Sequence, residues 1–214
     1  MGLRRFRRSG DPGPYTFGHA SNLFRQSASQ CISPQASRLR FIPYPQELGP
    51  VQDLDLDRMN HPLDIIERLA ASNDWSFDRD GEDEISVNVS GAWAEYQVAV
   101  TWLGQMEAMH VASAFDLKVP TRRRTEVLAL ISLINEQLWL GHFDFWSAEN
   151  VVMFRCSLLL SGGAEPTDEQ AGVLVKTAVE TCERYYQAFQ FVLWAGKTAR
   201  EALDGAMMEC VGQA

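Results

Sequence analysis

From Ile85 to Val119 the sequence runs through three extended stretches separated by turns of only a few residues. Ile85, Val87 and Val89 stand against Ser86, Asn88 and Ser90. Tyr96, Val98, Val100 and Trp102 repeat the alternation after Ser90-Gly91, and a third stretch runs from Met106 to Val119 after Gly104. A period of two is the pattern of a strand with one buried face. Parallel neighbours would need a crossover of about a dozen residues or more. None fits here, so the three stretches form an antiparallel meander.

Helical spacing frames this meander. Asn60 is placed to cap a first helix with Pro62 in its first turn and Leu63, Ile66, Leu69 and Ala70 on one face, running to about Ser72. Thr121 opens a second helix in which Val127, Leu130, Ile131, Ile134 and Leu138 share a face, with Gly141 where it should stop. His142–Trp146 and Val151–Leu160 read as a hairpin about Ser147-Ala148-Glu149-Asn150. Thr167-x-x-Gln170 is a capping-box start for a long third helix with Leu174, Ala178, Cys182, Tyr185, Phe189 and Val192 along one stripe. A last helical segment is expected from Thr198 to about Glu209. The expected fold is α+β, an antiparallel sheet of about five strands in the order α-β-β-β-α-β-β-α, and not a Rossmann-type alternation.

Charge divides the chain into two materials. Residues 1–46 hold seven arginines against one acid, Asp11, whereas the remainder holds twelve Lys/Arg against twenty-seven Asp/Glu. Residues 1–58 are therefore expected to be a disordered Arg/Ser/Pro-rich leader, with Met59 as an alternative start of translation, and 59–214 the folded domain. Arg4-Arg5 and Arg7-Arg8 hint at an export signal, but no apolar core follows them. The acidic domain should repel nucleic acid and anionic membrane, and neither is expected as a partner. Four cysteines without a C-x-x-C pair fit a reducing, cytoplasmic location.

Particular phrases resemble a known family. They are Asn60-His61-Pro62-Leu63-Asp64, Phe115 to Pro120, Ile134 through Gly141-His142-Phe143-Asp144, and Glu183-Arg184-Tyr185-Tyr186 through Trp194. They look like the YbjN family of sensory transduction regulators, most like its alphaproteobacterial forms, over about residue 60 to the end. The resemblance implies a type III secretion chaperone-like fold and a small, dimeric, non-enzymatic domain; it brings no catalytic motif.

Few residues stand in patterns that chemistry requires. Gly196-Lys197-Thr198 imitates the tail of a phosphate loop, but position 191 is Phe where that loop needs glycine, and a helix stands where it needs a strand. His142 and Asp144 have the spacing of two ligands on one strand face and lack a third. No G-x-S-x-G elbow occurs. Cys156 and Cys182 fall on apolar faces, where thiols are poor nucleophiles. Glu82, Asp83, Glu84, Asp168 and Glu169 fall in a turn and a helix start, where carboxylates serve structure. No cofactor and no metal are expected.

Two features resist a purely structural reading. Arg122-Arg123-Arg124 begins the second helix, where the helix dipole disfavours cations, so an anion of the domain or of a partner should compensate. Six tryptophans lie in the domain, and Met106–Ala114 and Val151–Leu160 are apolar on both strand faces, which points to burial against a second copy or a client polypeptide. The expected function is a homodimeric, chaperone-like or regulatory protein-binding module, with Trp102, Trp139, His142, Asp144, Trp194, Arg122, Arg123 and Arg124 as its contact residues. The alternative is a small-molecule or lipid binder, or an enzyme, with a pocket between sheet and helices near Trp139, His142 and Asp144.

Overall fold

The computed structural model describes residues 60–211, and the side chains of 60–208; the expectations for residues 1–58, and for Met59 as a start, lie outside them. The elements follow the expected α+β plan. They are α1 (Asp64–Ser72), β1 (Ser76–Arg79), β2 (Glu84–Ser90), β3 (Glu95–Leu103), β4 (Ala108–Lys118), α2 (Arg124–Asn135), β5 (His142–Trp146), β6 (Val151–Leu159), α3 (Asp168–Leu193) and α4 (Ala199–Val211). Every strand pair is antiparallel, and the spatial order is β1-β2-β3-β4-β6-β5.

The sheet has six strands where about five were expected. The addition is β1, which pairs with β2 from Ser76 opposite Asn88 to Arg79 opposite Ile85. Arg79 then ties it back to α1 through Asp64 at 2.8 Å and Glu67 at 3.1 Å. The guanidinium holds the Asp64 carboxyl below its usual range.

Helix boundaries shift for local reasons. Asn60 does not cap α1; the Nδ1 of His61 accepts the Leu63 N–H at 3.3 Å and the helix starts at Asp64. α2 opens after a short 3-10 turn at Thr121–Arg123 and ends at Asn135, before the expected Leu138. Leu138 still packs against the core, from the turn that follows. α3 begins as the capping box requires: Thr167 Oγ1 accepts from the Gln170 N–H and Gln170 Oε1 from the Thr167 N–H. The last segment is a separate helix, α4, packed on α2 and α3.

One face of the sheet carries the helices. Ile85, Val87, Tyr96, Val98, Val100, Met109, Val111, Phe115, Val152 and Phe154 join Leu63 and Ile66 of α1, Leu130 and Ile134 of α2, and the long stripe of α3 in a single core. Phe143 lies at its centre, with the rings of Phe115, Phe154, Tyr185 and Phe189 at 5.3–5.9 Å between centroids. The other face is also apolar at its middle: Ala99, Ala108, Ala112, Val151 and Met153 are buried yet stand outside this core.

Candidate partner-binding surface

The turn from α2 to β5 presents the most exposed aromatic residue of the described chain. Trp139 is 98% and Leu140 61% accessible. Gly141 holds this turn down with φ +70°, and the Phe154 ring and the Arg155 carbonyl occupy the place of a β-carbon there. Only glycine fits. Asn135 fastens the other side. Its Nδ2 donates to the Phe143 carbonyl at 3.0 Å, and its Oδ1 accepts the Phe143 N–H at 2.8 Å. The Phe145 N–H goes to Asp144 Oδ1 at 2.8 Å. The outer edge of β5 is therefore satisfied by side chains at Phe143 and Phe145, and main-chain pairing by a visiting strand finds these donors engaged.

His142 and Asp144 lie on the helix-free face of β5. Asp144 Oδ2 pairs with Arg155 Nη1 at 3.3 Å, and Arg155 Nε donates to His110 Nε2 at 3.2 Å. The β4–β6–β5 register builds this polar row, because Ala112, Arg155 and His142 are cross-strand neighbours. Burial, then the charges of Arg155 and His142, lower the His110 pKa to about 4. His110 is thus neutral at pH 7.

The arginines and Trp194 come together elsewhere. Trp194, 62% accessible, ends α3 and begins the loop to α4. In that loop Gly196 has φ +70°, and the Arg123 guanidinium occupies the place of its β-carbon. Arg124 lies over the Phe145 ring at 4.7 Å, and Lys197 over the Phe191 ring at 4.0 Å. The residue that had to be glycine for a phosphate loop is the ring that seats Lys197. Trp102 stands apart, on β3, with its ring edge-on to His61 at 6.5 Å and its backbone N–H donating to the Asp83 carbonyl at 2.8 Å. Two strands separate β3 from β5, so Trp102 does not share a surface with Trp139.

A groove of ≈ 460 Å³ between α1 and α3 was not foreseen. Leu69, Trp75, Val89, Val173 and Val179 line it, and Gly172 leaves open space where a β-carbon would stand. The available signal was Gly172 itself, since an interior helical glycine costs about 1 kcal/mol relative to alanine and is conspicuous in a good helix.

Cys182 is fully buried, its thiol pushed up to about 12, and desolvation also raises that of half-buried Cys156. Among the described residues no three His, Cys, Asp or Glu form a group able to hold a metal, and no helix is long and apolar enough to cross a membrane.

These features define an α+β domain with a helical layer on one sheet face and exposed tryptophans at two loops. A family model for YbjN, described as "Putative bacterial sensory transduction regulator", matches residues 62–191. The chain belongs to the YbjN family. Among solved structures it is similar to the "Crystal structure of YbjN, a putative transcription regulator from E. coli", with 14% identity over 56% of this chain and 85% of that chain and a TM-score of 0.43. No curated protein matches.

Proposed function

We propose that this chain is a regulatory binding module that acts, as a homodimer, by burying a segment of a partner polypeptide and not by making or breaking bonds. The exposure of Trp139 carries the reading. A tryptophan almost wholly in water, held by a turn that Gly141 and Asn135 make rigid, is the kind of anchor that dominates protein interfaces. Leu140 beside it and Trp194 on the second loop add apolar area of the same kind. Because the outer β5 donors are engaged, the partner is expected to dock through side chains.

A photo-reactive phenylalanine analogue placed at position 139 tests this in the protein's own cells. Ultraviolet-dependent adducts to a discrete polypeptide are expected at 139 and not at the wet-face position 88. Equal labelling at both positions, or none at 139, contradicts it.

The groove between α1 and α3 supports a second reading. Its volume and apolar lining suit a small apolar ligand. It lies beside β2, away from the neighbourhood of Trp139, His142 and Asp144 that the sequence suggested for a pocket.

A further inference from the structure

Residues 60–211 hold eleven Lys/Arg against twenty-three Asp/Glu. Five of those eleven cations, Arg122, Arg123, Arg124, Lys197 and Arg200, fall at two helix starts that the fold joins. The join is made by the Arg123 guanidinium against Gly196 and by the Ala199 N–H, which donates to Glu126 Oε2 at 3.0 Å. Both helix starts add the positive end of a dipole to the same place. A concentration of positive charge in so acidic a domain runs against self-compensation.

The local acids offset it only in part: the Glu201 carboxyl is lowered first by its Thr198 hydrogen bonds and also by the charge of Lys197. Glu126 is engaged with the α4 backbone, and Glu201 accepts from the Thr198 N–H at 3.1 Å and its hydroxyl at 2.8 Å. Among the described residues no carboxylate lies within ion-pair distance of any of the five cations, although six other cations of the domain include Arg68, Arg79, Lys118, Arg155 and Lys176, each of which has one. Arg123 Nε is shielded from solvent and has no hydrogen-bond partner. Three of the cations are also seated: Arg123 against Gly196, Arg124 on Phe145, Lys197 on Phe191. Seated cations give up less freedom when an anion arrives.

We infer that the joined starts of α2 and α4, with Trp194 at their margin, form a docking site for a short acidic polypeptide segment carrying an apolar or aromatic side chain. Charge complementarity selects the carboxylates, and the exposed indole takes the apolar residue. A long polyanion is a worse fit, since beyond the patch it would run along a surface of its own sign. This assignment rests on the polypeptide-binding reading above and adds the chemistry and place of the partner.

The test titrates the full chain into a fluorescein-labelled twelve-residue peptide of Asp and Glu around a central Phe-Leu, read by anisotropy. Saturable binding that weakens from 50 to 300 mM salt is expected. The double variant Arg122→Glu/Arg200→Glu should weaken it at least about tenfold, Arg122→Lys/Arg200→Lys should restore it, and Trp194→Ala should weaken it several-fold. Thermal unfolding of each variant checks the fold. The site is overturned if the charge reversal changes nothing, if a peptide with Lys in place of the acids binds equally, or if a twelve-nucleotide single strand binds more tightly. It is overturned equally if inorganic phosphate at millimolar concentration displaces the peptide, or if the reversal instead dissociates a dimer of the chain. Should adducts at position 139 persist while the peptide fails, the binding-module reading stands and only this site falls.

Discussion

The side-chain amide of Asn135 hydrogen-bonds both the N–H and the C=O of Phe143, standing where a neighbouring strand would otherwise stand. One residue thus ends α2, closes an edge of the sheet and fixes the ring at the centre of the core. It also sets the α2–β5 turn from which Trp139 projects.

Replacing Asn135 with Ala removes both bonds and leaves two part-buried backbone groups to find other partners. A loss of about 1–3 kcal/mol is expected in urea unfolding, with concentration-dependent aggregation as the β5 edge opens. An unchanged midpoint would mean that solvent replaces the amide at no cost.

His110 gives the fold a dependence on pH. Its folded pKa of about 4 lies below the 6.5 of a free imidazole, so the unfolded chain takes up this proton first. The contribution is whole above about pH 6.5 and is lost as pH falls toward 4. Arg155 and His142 are the basic groups that face it, and Asp144 reaches it through Arg155. Stability measured between pH 7 and 4 should decline less steeply in His110→Gln than in the parent.

Much of the fold was readable because it is local. The alternation of β2 and β3 and the Thr167–Gln170 box are short-range patterns, and each forms as written. β1 escaped because its four residues carry one large apolar side chain, Phe77, and no alternation. The end of α2 escaped because Leu138 continues the apolar spacing, while the signal that stops the helix is Asn135 bonding a residue of the next strand. Surface residues fared less evenly. Spacing along one strand pairs His142 with Asp144, but Arg155 and His110 join them only through the β4–β6–β5 register. Nor does any local pattern bring Arg123 to Gly196.

The groove between α1 and α3 can be closed without touching the core. Gly172→Leu adds its side chain to open space and improves helix propensity, so the thermal midpoint should rise, by an amount reflecting roughly 0.5–1 kcal/mol. Adducts at position 139 should be unaffected. If the variant instead abolishes them, the groove and not the Trp139 turn is the contact surface.

Cys182 should resist alkylation in the folded chain, since burial raises its thiol to about 12. Peptide mapping after iodoacetamide treatment should find it modified only once urea unfolds the domain. Modification at native rates comparable to a free thiol would show that the α3 stripe opens readily.

Native mass spectrometry of the full chain isolated from its own cells bears most directly on the central claim. The expected mass is twice that of the 24.1 kDa chain plus a further bound polypeptide, with the added mass lost in Trp139→Ser/Trp194→Ser while the fold is retained. A bare chain of 24.1 kDa in both preparations would contradict it.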